Sequence, residues 1–177
     1  MHRLFVALRP PLAIREQLLG LMGGVSGARW QSDEQLHLTL RFIGDVDRHL
    51  AGDIHAALGA VHHPVLEIAL GGIGSFERRG RAETLWAGVT PHGPLKALHN
   101  KVDQAVARAG VAPDHRAYLP HITLARLNRA TSPIDGLLQR ASGVASAPFR
   151  VEAFCLYQSE LTPDGPIYSV VERYSLG

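Results

Sequence analysis

Two short stretches constrain this chain more than any other feature: HLTL at 37–40 and HITL at 121–124. Random placement of ten His and six Thr in 177 residues predicts about 0.3 His-x-Thr triplets, yet two are present. Both carry an aliphatic residue after the His and a Leu after the Thr. Apolar–polar alternation of this kind predicts a half-buried β-strand, whose side chains point alternately to opposite faces. His37 and Thr39 then share one face, and Leu38 and Leu40 share the other. In the second stretch His121 and Thr123 lie opposite Ile122 and Leu124. Each strand presents one imidazole and one hydroxyl roughly 6–7 Å apart, anchored from behind by an aliphatic pair.

The rest of the composition narrows what such strands can serve. At 177 residues the chain makes one compact domain or two small lobes with a shared core. Hydrophobic residues are 46% of the total, which is too many for a disordered chain. The formal net charge is only +2, so a polyanionic ligand held locally fits better than a surface that coats nucleic acid. The lone Cys155 excludes an internal disulfide and suits a reducing cytosol; its apolar surroundings predict a buried, inert thiol. The N-terminal apolar run ends at Pro10-Pro11, too short for a signal sequence, and no run reaches the length of a membrane span. A cytoplasmic protein without membrane contact is expected. The histidines show neither H-E-x-x-H nor Cys/His clustering, so neither a metal site nor any other cofactor is expected. His62, His63, His92 and His99 are read as surface residues.

Along the chain, strands are predicted at RLFVAL (3–8), LHLTLRFIG ending at Gly44-Asp45, VLEIALGGIGSF, ETLWAGV (83–89), PHITLARL and FRVEAFCLYQSEL. Arg29-Trp30 begins a further extended piece. The turn TPDG (162–165) joins the FRVEAFCLYQSEL strand to a return strand, IYSVVERYSL. Helices are predicted after Pro11, in DVDRHLAGDIHAALGAV, and in the segment beginning PHGPLKAL, which Gly110 ends. SPIDGLLQRASG predicts a short fourth helix. GGIGS (71–75) lacks the lysine and helix of a phosphate loop and is read as a strand end or bulge. The order is β-α-β-α-β followed by β-α-β-α-β-β, and the marked histidines lie 84 positions apart. This pattern points to an α/β (α+β) fold made by duplication of a βαβ-containing lobe, with mostly antiparallel sheets facing a central cleft. Residues 1–177 form one bilobal domain, with lobes around 30–82 and 83–150 completed by terminal strands 3–8 and 151–175. A pseudo-two-fold relation would bring both His-x-Thr faces onto one small ligand.

Two histidines astride a phosphate can act as general acid and general base, because a pKa near 6.5 lets both protonation states exist near neutrality. Two threonine hydroxyls can hydrogen-bond the non-bridging oxygens. A strained 2′,3′-cyclic phosphate needs no metal for such attack.

The paired strands, with RLFVALRP, LHLTLRFIGDV, LWAGV, YLPHITLAR and LYQSEL…G…Y around them, resemble the 2H phosphoesterase superfamily. The nearest resemblance is to the RNA 2′,3′-cyclic phosphodiesterase family, also called bacterial 2′-5′ RNA ligases. The resemblance implies a bilobal fold and metal-independent hydrolysis of a 2′,3′-cyclic phosphate to a 2′-phosphomonoester. It implies His37 as proton donor, His121 as proton acceptor, and Thr39 and Thr123 as phosphate ligands, although the near-symmetric motifs alone leave acid and base unassigned. It also favours Arg126 at the phosphate. Strand parity puts Arg126 on the opposite face unless the strand bulges or ends, whereas Arg41 has the right parity. Phe42 has core parity and is predicted to be buried. Trp30, Phe76, Tyr118 and Tyr157 could stack a base in the cleft, with core packing the commoner fate. The implied partners are RNA or oligonucleotide ends bearing a 2′,3′-cyclic phosphate, or small cyclic nucleotides, bound by a monomer. A 2′-5′ RNA ligase, a phosphodiesterase of another small cyclic or 2′-5′-linked nucleotide, and a non-catalytic RNA-binding module are the rival readings.

Overall fold

The computed structural model describes all 177 residues. In chain order they form β1 (His2–Leu8), α1 (Leu12–Leu19), β2 (Arg29–Trp30), a 3-10 turn (Asp33–Gln35), β3 (Leu38–Val46), α2 (Arg48–Leu58) and β4 (Leu66–Arg78). There follow β5 (Arg81–Thr90), α3 (His92–Ala109), β6 (His121–Arg126), α4 (Asp135–Arg140), β7 (Phe149–Val151), β8 (Ala153–Thr162) and β9 (Gly165–Ser175). The expected alternation of strands and helices is present. Two expected boundaries are not. Gly44-Asp45 do not end β3, because β1 stays paired with it to Val46, with an irregular register beside Ile43. The segment predicted as one strand at 149–161 is two, parted at Glu152.

All strand pairings are antiparallel, in the order β7-β4-β5-β6-β3-β1-β8-β9, with β2 paired to β6 as well. The split at Glu152 explains the curvature. Val151 pairs with Leu66 at one end of this order, while Ala153 pairs with Ser175 at the other. One residue therefore connects the edge strand β7 to β8, one strand in from the opposite edge, and the sheet must curl into a half-barrel. Its centre is the pair β3–β6, joined at Leu38 and Ile122, the residues that follow the two marked histidines. From that junction the order runs through β5, β4 and β7 beyond β6 and through β1, β8 and β9 beyond β3, so β4 falls on the β6 side, away from the β3 with which the expected 30–82 lobe grouped it.

The aliphatic residues of the motifs anchor this centre. Leu38, Leu40, Ile122 and Leu124 belong to one core that also takes Ile14 and Leu18 from α1, Ile54 and Leu58 from α2, and Leu95, Leu98, Val102 and Val106 from α3. Each buried Leu or Ile there contributes roughly 1.5–3 kcal/mol. Helices thus cover one face of the sheet. On the other, Phe5, Ala7 and Tyr157 form a small separate cluster with the half-buried Cys155 and Tyr168. Cys155 is therefore not fully buried, contrary to expectation, although burial raises its thiol pKa.

GGIGS is a bulge, as one of its two readings anticipated: the β4–β5 register shifts between Leu70 and Ile73. The Gly72 N–H leaves the ladder and donates to the Val144 carbonyl at 2.8 Å. The bulge rests on Gly88, the β5 residue paired with His121. A Cβ at Gly88 would lie 2.4 Å from the Gly71 carbonyl oxygen. Gly88→Ala is therefore predicted to lower unfolding stability by about 2–3 kcal/mol through backbone displacement. Chemical denaturation checks this, and a loss below about 0.5 kcal/mol would show that the bulge yields freely.

Candidate active site

The junction Leu38–Ile122 dictates the arrangement of the motif side chains. In an antiparallel pair, residues level with one another share a face. Continuing the register one position each way sets Thr39 level with His121 and His37 level with Thr123. All four polar residues then occupy the helix-free face. Beyond this bridge β6 takes β2 as its neighbour, through Arg29 with Arg126 and Trp30 with Ala125.

Past each threonine the two strands do the same thing. Along β3, Ala7 pairs with Thr39 but Val6 pairs with Arg41, so Leu40 is an extra residue. Along β6, Trp86 pairs with Thr123 but Leu85 pairs with Ala125, so Leu124 is extra. A bulge of one residue reverses the facing of everything after it. Arg126 therefore returns to the face of Thr123. The bulge that parity demanded for Arg126 is present, and its Nη1 donates to Thr84 Oγ1 at 3.2 Å.

The same reversal turns Arg41 inward from the parity expected of it, although it still lines the groove beside Thr39 and His121. It points into the protein, 6% exposed. Its Nε donates to Asp103 Oδ1 at 2.7 Å, its Nη2 to the Ala112 carbonyl at 2.6 Å, and its Nη1 to the Phe42 carbonyl. Arg41 is a structural cation tying β3 to α3. Phe42, expected in the core, is 42% exposed on the site face, with Arg3 over its ring. His99, expected on the surface, is buried: its Nδ1 donates to the Leu40 carbonyl at 2.6 Å, and its ring stacks on Tyr118 at 4.0 Å. The Tyr118 hydroxyl donates to the Thr39 carbonyl at 2.9 Å. These two bonds clamp the β3 bulge from α3 and the loop before β6. His63 is also buried, near Pro64, whereas His62 and His92 are exposed as expected.

Each marked histidine sits in its own aromatic surround. His37 meets Tyr157, Tyr168 and Phe5 edge-on, at 4.6, 5.3 and 6.0 Å between ring centres. His121 meets Phe76 at 4.9 Å and Trp86 at 6.2 Å. Tyr168, Phe5 and Trp86 escaped residue-level reading, although Tyr168 is the closing tyrosine of LYQSEL…G…Y. Trp30 is half-buried beside β6, and Phe76 is 37% exposed.

Burial sets the proton affinities. His37 is 7% exposed, and desolvation pushes its pKa down to about 4. The Gln35 carbonyl opposes this, without reaching hydrogen-bond geometry at Nδ1, while Arg9 and Arg15 reinforce it. These arginines also brace the approach to His37: Arg9 Nη1 donates to the carbonyls of Asp33 and Leu36, and Arg15 Nε to Asp33 Oδ1. The pKa of His121 is lowered too, first by burial and then by Arg126, with the Leu119 carbonyl working against them. His121 Nδ1 donates to that carbonyl at 2.7 Å. The neutral ring therefore carries its lone pair on Nε2, as a proton acceptor requires. No three His, Cys, Asp or Glu side chains gather as a metal-ligating cluster. A groove of about 280 Å³ opens beside the centre, lined by Thr39, Phe42, Phe76, Arg116, Tyr118 and His121 among others.

Comparison with known proteins agrees with this geometry. A family model described as the 2′-5′ RNA ligase superfamily matches residues 13–163. The RNA 2′,3′-cyclic phosphodiesterase of Archaeoglobus fulgidus is 33% identical over 169 residues, which span 94% of this chain and 96% of the relative. That of Thermotoga maritima is 29% identical, over 96% and 92% of the two chains. Among solved structures, E. coli LigT complexed with 3′-AMP superposes with a TM-score of 0.81 at 27% identity, covering 99% of this chain and 98% of its own. TT0787 of Thermus thermophilus gives 0.82 at 27% identity, over 98% and 97%.

The depressed His37 pKa carries a stability prediction. Below pH 6.5 the unfolded chain binds the proton that buried His37 refuses. Stability from this residue is complete above about pH 6.5 and is lost as pH falls towards about 4, by roughly 3 kcal/mol in all. Denaturation across that window should show a shallower decline in His37→Gln than in wild type. An NMR titration placing the His37 midpoint at 6 or above would contradict the desolvation argument.

Proposed function

The chain belongs to the 2′-5′ RNA ligase superfamily, and from that premise we propose that it hydrolyses a 2′,3′-cyclic phosphate at an RNA or nucleotide end to a 2′-phosphomonoester. The observation that carries this reading is the quartet His37, Thr39, His121 and Thr123 arranged about the Leu38–Ile122 pair. The relatives named RNA 2′,3′-cyclic phosphodiesterase and the nucleotide complex of LigT support it.

In the proposed reaction a water molecule attacks phosphorus opposite the 3′ oxygen. His121 Nε2 takes a proton from that water as the new P–O bond forms. The P–O3′ bond breaks, and His37 gives its proton to the departing oxygen. The product keeps the phosphate on O2′ and a free hydroxyl on C3′. Thr39 and Thr123 donate to the non-bridging oxygens, and Arg126 adds positive charge on the same face, where transition-state charge is worth stabilising. The cycle leaves His37 neutral and His121 protonated, so exchange with solvent resets both. Because only histidine protons move, we propose that no metal takes part.

The acid poses a requirement. His37 is neutral at pH 7 in the free protein, since burial holds its pKa near about 4. The substrate phosphate places a negative charge beside the ring and favours its protonation. The free-enzyme profile, kcat/KM against pH, is therefore predicted to be a bell centred below pH 6.5. Its acid limb reports protonation of the base and its alkaline limb deprotonation of the acid, with both midpoints belonging to the coupled pair. A profile still rising above pH 7.5 would contradict this assignment.

The decisive assay incubates EDTA-treated protein with a nucleoside 2′,3′-cyclic phosphate and identifies the product. A 2′-phosphate supports hydrolysis; intact cyclic phosphate with retained RNA affinity indicates the binding module instead. His37→Ala and His121→Ala should each lower turnover by roughly 10²–10⁴-fold, the contribution of a positioned acid or base. Thr39→Val and Thr123→Val should cost less, each losing one hydrogen bond of several. Near-normal turnover in either alanine variant would remove the two-histidine mechanism.

A further inference from the structure

The two halves of the site are symmetric in backbone and asymmetric in chemistry. Phe42 and Arg126 are equivalent, each the third residue after its motif threonine and each turned to the site face by the same bulge. At the Phe42 end the groove is aromatic, with Phe76 and Tyr118. Outside that groove, on the Arg126 side of the motif residues, the same face is cationic. There β2 sets Arg29 directly across from Arg126 in the antiparallel register, so the two guanidinium-bearing side chains share the site face. Like charges placed directly opposite on a sheet are unfavourable, and a nearby carboxylate commonly offsets them. None does here. The seven ion pairs of the protein include neither Arg29 nor Arg126. Glu34 and Asp164 line the adjoining cavity of about 380 Å³, yet neither forms an ion pair.

The Arg29 guanidinium lies against Gly165 at the turn between β8 and β9, where an added Cβ would stand 2.8 Å from Nη2. Gly165 has φ +114°, a conformation that side-chain-bearing residues avoid, so the turn keeps a bare backbone against the guanidinium. Arg29 makes no side-chain hydrogen bond to the protein, and its donors remain available to a ligand. A guanidinium with free donors beside a second one is the arrangement that recognises phosphate.

We propose that Arg29 forms a second phosphate subsite, which holds the phosphodiester 5′ of the terminal nucleotide, with Arg126 standing between that phosphate and the reacting one. The inference rests on the proposed cyclic phosphodiesterase activity. It follows from substrate chemistry as well: at an end closed by a 2′,3′-cyclic phosphate, the only neighbouring phosphate is on the 5′ side. The aromatic groove then takes the base and the cationic side of the face takes the incoming strand. Arg29 is thereby a specificity residue that favours RNA ends over free nucleosides.

The test compares a nucleoside 2′,3′-cyclic phosphate with the same compound bearing a 5′-phosphate. Wild type should prefer the 5′-phosphorylated substrate in kcat/KM by about tenfold or more, the worth of one charge-assisted hydrogen bond, and chiefly through KM. In Arg29→Gln this ratio should collapse towards one, and Arg29→Lys should restore part of it. Circular dichroism and melting of each variant establish that the fold is intact. An equal loss on both substrates in Arg29→Gln, or a wild-type ratio near one, overturns the subsite while leaving the activity standing. Failure of wild type to hydrolyse either compound overturns the activity, and the subsite with it.

Discussion

One extra residue after each motif threonine organises the face on which the site lies. Leu40 and Leu124 are ordinary aliphatic residues, fully buried, but each occupies a strand position with no partner across the ladder. The consequence is a reversal of side-chain facing two residues on. Without it, Arg41 would lie on the face of Thr39 with its donors free, Phe42 would enter the core and Arg126 would point at the helices. With it, a structural arginine goes inward, and an aromatic, Phe42, and a cation, Arg126, are delivered to the face that carries the motif residues. The bulge in β3 is maintained from outside the sheet: His99 and Tyr118 occupy the carbonyls of Leu40 and Thr39, and Asp103 retains Arg41. Replacing one of these partners would leave a buried polar group unpaired, which costs more than the bond itself contributes.

The two histidines share a scaffold and differ in surroundings. His121 has a well-formed bond from Nδ1 to the Leu119 carbonyl, which leaves its other nitrogen as an acceptor. His37 has only a carbonyl nearby, a deeper burial and three aromatic rings about it. Desolvation acts on both, most strongly on His37. In the proposed reaction a charged phosphate entering this space changes the balance more than any protein side chain does, because both imidazoles lack a carboxylate partner. Protonation is thereby coupled to occupancy, and the resting site stays uncharged at its centre.

Much of this was legible in the residues. Period-two alternation identified the motif strands, and the repetition of the motif suggested that they face one ligand. Helix positions followed from the spacing of Leu95, Leu98, Val102 and Val106 and its counterparts. The facing of Arg41 and Phe42 was missed for one reason. Parity counts assume an unbroken ladder, and a bulge carries no signature in HLTLRF or HITLAR, where the extra residue is one more leucine. Arg41 and Phe42 were misplaced together because both follow that bulge, whereas His99 lies on α3 and is buried by its bond to Leu40 and its stack on Tyr118. The division at Glu152 was equally hidden, since FRVEAFCLYQSEL is uninterrupted in strand propensity and only the choice of partner strand divides it.

That division also limits how the molecule can move. Leaves of a book open because their outer margins are free; here Glu152 stitches one margin, β7, to β8 beside the other, and its carbonyl is further held by the Leu176 N–H. Prising the flanks apart would tear the ladder on one side of the stitch. Adjustment to a guest is left to side chains along the mouth, such as Phe42, Phe76 and Arg116. The backbone around the motif residues is thereby fixed by its own connectivity, independently of any guest.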